Sequence, residues 1–423
     1  MKAFFDKIKL VLRDPVMRKR IFFVIGALVV YRLLSTIPMP GVDPQSLSRL
    51  LSGNQFLGLL DVFSGGGISK LSVVMLGVGP YITASIIIQL IAMMIPSIKA
   101  MMQEEGELGR MKLSQYSRYL SVPLAMLQGY GFLTLLANQN VLPHLSGMSM
   151  IVAVLTVTAG SALLMWIGEL ISEFGIGNGV SLIIFAGIVS ALPTHIVQFF
   201  ATFDPSQIPS YIVFAIVALV VIVGVVVVTE AERPIPVTYA KQVRGNKVYG
   251  GVSTYLPLRL NQAGVIPIIF ALSILLFPQI IANFLSQASN PTVASVAKTV
   301  ASFLNDGWVH GAIYFFFVFI FTYFYTAITF DPKQISENLQ KGGAFIPGVR
   351  PGDPTTAYLG KVVTRITLVG ALFLGIVAIL PLIMQGFTGN NTLAIGGTAL
   401  LIVVSVILDL LKKIDAQATM REY

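Results

Sequence analysis

A chain of 423 residues that is 55% hydrophobic and only 11% charged, with a mean hydropathy of +0.82, is too apolar for a water-soluble globule, in which about 25% of residues are charged. It carries a formal charge of +9 and no cysteine, so disulfides and thiolate metal ligands are excluded. A polytopic helical bundle in a membrane is the expectation.

In chain order, residues 1–20 form a basic arm with Lys2, Lys7, Lys9, Arg13, Arg18, Lys19 and Arg20. The arm lacks a signal-peptide cleavage pattern and reads as an amphipathic segment on the membrane surface. About ten apolar stretches follow, each near the roughly 20 residues that cross a hydrocarbon core of about 30 Å. They lie at 21–37, 71–95, 116–137, 150–171, 180–200, 211–229, 263–285, 309–330, 362–384 and 393–411. The Gly-rich run Asp61-Val62-Phe63-Ser64-Gly65-Gly66-Gly67-Ile68-Ser69-Lys70 precedes the second stretch and is too short and broken to span. At membrane depth, such a backbone must be buried in protein or line a wet cavity. A re-entrant segment fits that requirement; an external loop is the alternative.

Two polar connections are long. Residues 230–262 contain an alternating Val243-Arg244-Gly245-Asn246-Lys247-Val248 run, which suggests a β-hairpin. Residues 331–361 hold Gly342 to Gly352 with Pro347 and Pro351, a composition that favours a shaped turn over a helix. A tail, 412–423, closes the chain. Lys and Arg concentrate in the arm, in the connection between the second and third stretches, in these two loops and in the tail. The other side keeps only Arg49, Lys70 and Lys298, which puts both termini and the basic loops in the cytoplasm. Five stretches on each side of residue 200 allow two halves, 21–200 and 201–411. An odd number of crossings makes any repeat of one half in the other inverted.

Chemistry is sparse. Arg32, Glu169, Glu173 and Asp409 all lie near the ends of apolar stretches, which leaves little for a charge-driven pump. No phosphate-cradling loop, zinc-protease pattern or nucleophile elbow occurs. His144, His195 and His310 are far apart in sequence and read as polar loop residues. No enzyme activity and no cofactor or metal are expected. Isoleucines at helical spacing, Ile82 and Ile86, Ile184 and Ile188, Ile269 and Ile274, and Ile402, read from spacing alone as core residues; branched aliphatics can also close a pore by dewetting.

A string of motifs then identifies a family. Phe63-Ser64-Gly65-Gly66, Gly79-Pro80-Tyr81-Ile82-Thr83-Ala84-Ser85-Ile86-Ile87-Ile88-Gln89, Glu105-Gly106-Glu107 with Gly109-Arg110, and Ser114-Gln115-Tyr116 resemble the SecY family of protein-translocation channels. So do Gly175-Ile176-Gly177-Asn178-Gly179, Ala263-Gly264-Val265-Ile266-Pro267, the Gly343–Gly352 segment and the Leu400–Val404 run, in the family's order. The resemblance implies an all-α bundle of about ten transmembrane helices in two inverted five-helix halves around a central pore, with a short re-entrant plug helix at 61–71. Unfolded secretory chains would cross it, and hydrophobic segments would leave sideways into lipid.

Carried onto this sequence, the resemblance makes Ile82, Ile86, Ile184, Ile188, Ile269, Ile274 and Ile402 the pore ring. Phe63, Ser64, Gly65, Gly66, Gly67 and Ile68 become the plug, and Thr83, Ser85, Gln89, Gln128, Asn261 and Gln262 the lateral gate. Lys241, Arg244, Lys247, Arg259 and Arg350 would dock partners. The partners implied are SecE and SecG in a heterotrimer, the SecA motor ATPase, the ribosome through its RNA, secretory preproteins, nascent membrane proteins and membrane lipids. The location implied is the bacterial inner membrane. Two departures stand out: Glu104, Glu105 and Glu107 make the second connection less basic than the family's, and Pro234 and Pro236 stand where a basic run is common. A coupled solute transporter and an insertase without a continuous pore are the competing readings. Neither accounts for the plug-like segment together with the two long loops.

Overall fold

The computed structural model describes residues 14–39, 61, 64, 66–68, 70–95, 97–98, 101, 107–138, 141–142, 147–201, 205, 208–244, 247–250, 253–286, 290–388 and 396–422. Phe63 and Gly65, the arm before Asp14 and, between the second and third stretches, residues 96, 99–100 and 102–106 lie outside these residues, as does His144.

The first half comprises α1 (Pro15–Leu34), α2 (Gly79–Met94), α3 (Glu107–Asn138), α4 (Gly147–Phe174) and α5 (Gly179–Ala201). The second begins with α6 (Ile208–Glu230), then strands β1 (Glu232–Tyr239), β2 (Lys241–Arg244), β3 (Lys247–Gly250) and β4 (Ser253–Arg259). It continues through α7 (Ile266–Leu285), α8 (Pro291–Asn305), α9 (Gly307–Thr329), α10 (Pro332–Lys341), β5 (Ala344–Phe345), α11 (Asp353–Thr388) and α12 (Gly396–Glu422). Ten of these helices coincide with the ten apolar stretches. The protein is thus a multi-pass helical membrane bundle, whose exposed apolar side chains, such as Phe22, Ile216, Leu219 and Phe316, suit lipid rather than water.

Five expectations change. The second spanning helix starts at Gly79, not at residue 71: Gly77 has φ +56°, Leu71 has φ +41°, and Pro80 sits in the first helical turn, so residues 71–78 run as successive turns. The plug is likewise not a helix through residue 71. Asp61 and Ser64 are helical, but Gly66 has φ +77° and the described chain beyond it is turns. Within 331–361 two helical segments appear. Asp331 accepts from Lys333 N and Gln334 N to cap α10, and α11 already begins at Asp353. His310 is not in a loop; it is buried in the first turn of α9 with its ring 6.3 Å from that of Tyr314. The tail, finally, continues α12 without a break to Glu422.

Within each half the helices pack on chain neighbours, α2 on α3, α3 on α4 and α9 on α11. The halves meet along two seams. On one, α7 packs against α2 and α3; on the other, α12 packs against α5. The two long loops join into one structure, because β5 pairs with β1 in a sheet of order β4-β1-β5, with Thr238 opposite Phe345 and Tyr239 opposite Ala344. Pro234 and Pro236 fall where β1 has no β5 partner, so their missing N–H groups leave that pairing intact. The sheet stands on the first turns of α11 through Ile235, Val237, Leu258, Ala344, Ile346, Leu359 and Val363. Beyond it β2 and β3 pair antiparallel, as the expected hairpin requires, with Arg244 opposite Lys247; Gly245 and Asn246 lie outside the described residues.

Candidate functional site

The largest cluster of buried side chains lies where both seams converge. It holds Ile82 and Ile86 from α2, Ile184 and Ile188 from α5, Ile269 from α7 and Ile402 from α12, with Ile274 packed against it. Six of the seven are at most 8% exposed; Ile274 is half-buried. Ile82 and Ile86 are four residues apart and therefore on one face of α2, as Ile184 and Ile188 are on α5. No charged side chain is among the buried residues described. The cluster is an apolar closure built from both halves.

Against it lies the irregular segment from Gly66 to Val78. Ser64 Oγ donates to Asp61 O at 3.0 Å and accepts from Gly67 N at 3.1 Å and Ile68 N at 3.2 Å, which closes a tight turn. The buried Tyr31 hydroxyl of α1 donates to Ser64 O at 3.3 Å. Met39 N donates to Leu71 O, and Val73 N to Ile37 O, so the chain after α1 supplies further partners. Ser161 Oγ of α4 donates to the buried Gly77 O at 2.9 Å. The neighbouring Gly160 makes that approach feasible, since a Cβ there would stand 2.2 Å from Val73 O. Lipid could satisfy none of these backbone groups, and here protein does. Ile68, Leu71 and Met75 pack with Leu133 and Leu136 of α3 and Val157 of α4, while Val74 and Val78 join the isoleucine cluster.

The residues expected at the lateral gate separate into two places. Thr83, Ser85 and Gln89 lie on α2 and Gln128 on α3, the two helices that face α7. Thr83 Oγ1 donates to Gly79 O, and Gln89 Nε2 donates to Ser85 Oγ at 3.1 Å, yet Gln89 Oε1 and the buried Gln128 Nε2 have no partner among the described residues. Such atoms cost about 1–3 kcal/mol each in an apolar setting. Asn261 and Gln262 stand elsewhere, in the turn that enters α7. Asn261 Nδ2 donates to Gly264 O at 3.2 Å while its Oδ1 is unpartnered. Both line a cavity of about 320 Å³ whose other walls include Asn178, just before α5, Ser181 of α5, Tyr325 of α9, and Ser405 and Asp409 of α12.

Of the residues expected to dock partners, Lys241, Arg244 and Lys247 lie on the β2–β3 hairpin. Arg350 is exposed in the turn between β5 and α11, where its carbonyl accepts from Thr355 Oγ1 at 2.8 Å. Arg259 ends β4; its Nε is 3.2 Å from Glu232 Oε1 across the sheet, and it also borders the cavity. Motif reading missed the irregular 71–78 segment and the small-residue approach at Gly160. The Gly77-Val78-Gly79-Pro80 run was the signal that could have found the first.

Comparisons with known proteins show the family and the fold. A family model described as SecY matches residues 72–411. The chain is 42% identical to a protein translocase subunit SecY of Streptomyces coelicolor, with 97% of each chain covered, and 42% identical to one from Mycobacterium bovis at the same coverage. A subunit of the same name from Corynebacterium glutamicum is 41% identical, again over 97% of both chains. Among solved structures, a protein-conducting channel superposes with a TM-score of 0.65 at 17% identity, over 95% of this chain and 92% of that one. The Sec61 channel in a canine ribosome–channel complex gives 0.60 at 16% identity, with the same coverage. At these identities the structural likeness is one of fold.

Proposed function

The chain belongs to the SecY family, and from that premise we infer how it works: it is the pore-forming subunit of a Sec translocon, a transport role that moves polypeptide across a membrane. The observation that carries the mechanism is the joint burial of isoleucines from α2, α5, α7 and α12, two helices from each half, in one uncharged cluster.

In this reading Ile82, Ile86, Ile184, Ile188, Ile269, Ile274 and Ile402 form the constriction. Branched aliphatic walls exclude water and ions when packed together, and they yield to a passing chain without breaking hydrogen bonds. The segment from Phe63 to Ile68 is the plug. Among the described residues, the tie from Tyr31 to Ser64 O is a single hydrogen bond worth about 1 kcal/mol, which an arriving polypeptide can break as it displaces the segment. The seam of α7 with α2 and α3 is the lateral gate. Unpartnered Gln89 Oε1 and Gln128 Nε2 keep that seam from being more stable shut than a signal segment can overcome. Asn261 and Gln262 act at the mouth of the cavity beside α12, where they would guide a chain toward the constriction.

The sheet and hairpin are the docking platform, with Lys241, Arg244, Lys247, Arg259 and Arg350 as its cations. Ribosomal RNA is a polyanion, so that contact would weaken with salt. SecE, SecG and SecA are the further partners of this reading. Secretory preproteins and nascent membrane proteins are the cargo, and the bacterial inner membrane, with both termini cytoplasmic, is the location. The arm 1–20, the halves 21–200 and 201–411, and the tail 412–423 are its working divisions.

The test uses Ile86→Cys in vesicles with the partner subunits, SecA, ATP and a preprotein stalled midway that carries one cysteine. An ATP-dependent disulfide is the expected result. Protected preprotein without a bond would mean the constriction lies elsewhere, and neither bond nor protection would overturn the channel reading.

A further inference from the structure

At the end of α7 away from the sheet, α8 packs against both α7 and α9 and presents three different faces. Ala294, Ala297, Ala301 and Leu304 recur three or four residues apart; Ala297 and Ala301 are buried. Thr292, Ser295, Thr299 and Ser302 form a second row, exposed, with Lys298 beside it. The hydroxyls of Ser295, Thr299 and Ser302 donate to carbonyls one turn back, at 2.9–3.0 Å. Val293, Val296, Val300 and Phe303 form the third row, and each is exposed, from 39% at Val293 to 60% at Val296. At 100° per residue each row covers about a quarter of the circumference. The apolar row lies between the other two, and the hydroxyl row lies roughly opposite the buried one.

Asp306 then turns the chain. It ends α8 and caps α9 by accepting from Trp308 N and Val309 N, and Trp308 projects at the corner, 75% exposed. Further along α9, Phe316 and Ile320 are also exposed. Helix α8 therefore leads directly into a spanning helix that carries exposed apolar side chains.

We propose that α8 is an in-plane membrane anchor: its valine and phenylalanine row enters the leaflet on the side opposite the sheet, while its hydroxyl row faces water. A lipid–water boundary offers apolar and aqueous media side by side along a whole helix, which is what two adjoining exposed rows of opposite character require. Trp308 occupies the boundary level that indole favours. The anchor fixes the outer ends of α7 and α9 against the bilayer, so α7 moves at the seam with α2 and α3 about a held end.

Because the chain has no native cysteine, single thiols are unique in it. Spin labels would be placed one at a time at Val293→Cys, Val296→Cys, Val300→Cys and Phe303→Cys, and at Thr292→Cys, Ser295→Cys, Thr299→Cys and Ser302→Cys. The complete translocase would be reconstituted in phosphatidylethanolamine–phosphatidylglycerol vesicles, and each label probed with dissolved oxygen and with a water-soluble nickel chelate. The expected result is oxygen-favoured collisions in the first set, nickel-favoured collisions in the second, and a ratio that oscillates with the helix period. Equal nickel access to both sets would put the row in water and overturn the proposal. Exclusion of both reagents from the apolar row would overturn it in favour of a protein that covers the row.

Discussion

Gly160 shows how much one hydrogen atom decides. The carbonyl of Val73 occupies the space a Cβ would take, so Gly160→Val must push the irregular segment off α4. Overpacking of this kind costs about 1–3 kcal/mol. We expect a lower unfolding midpoint together with greater ion leakage through the idle channel in a planar bilayer. Ser161→Ala, which removes the bond to Gly77 O, should cost about 1 kcal/mol, with a smaller leak. Gln128→Leu should act the other way. Removing a buried amide whose Nε2 has no partner stabilises the closed seam by about 1 kcal/mol, so signal segments of modest hydrophobicity should insert more slowly in an in vitro insertion assay. Polar residues on α2 and α3 are legible as anomalies in apolar stretches. That Gln128 lacks a partner is not, because satisfaction depends on what the neighbouring helix presents.

At the scale of elements, ends were harder to read than existence. Each apolar stretch became a helix, since hydropathy over about 20 residues averages out local irregularity. Helix α2 begins eight residues late because Gly77 and Pro80 override the apolar composition before it. Helix α8 was missed altogether: it is too short to span, and its alanines and valines blend into a connection. Its signals were Asn290 and Pro291 at the start, where Asn290 Oδ1 accepts from Thr292 N at 3.0 Å, followed by apolar residues at helical spacing. Asp306 serves two helices at once. Asp306→Ala should cost about 1 kcal/mol through the lost cap and raise amide exchange at Trp308 and Val309 by about tenfold, read by hydrogen exchange in detergent.

For the whole molecule, the isoleucine cluster and the sheet that joins the two loops both draw on distant parts of the chain. Ile86→Asn places an amide in the closure, and its hydration should raise the resting conductance several-fold while preproteins still cross. Because β5 pairs with β1, the two loops are one body, and losses from Arg244→Glu and Arg350→Glu should not add. Binding of SecA or the ribosome, titrated at two salt concentrations, checks this: simple additivity would mean that the loops act separately.

The sequence by itself determined the solvent, the order of the spanning helices and the family, since each follows from composition summed over windows or from motifs contiguous in the chain. Tertiary structure alone decided three things. Isoleucines some 320 residues apart, from Ile82 to Ile402, share one cluster. Two loops far apart in the chain form one sheet. Asn261 and Gln262 line a cavity beside α12 rather than the seam of α2 and α3. The physical reason is common to all three: hydropathy records how much each residue avoids water, and it carries no information about which apolar or polar neighbour will take water's place.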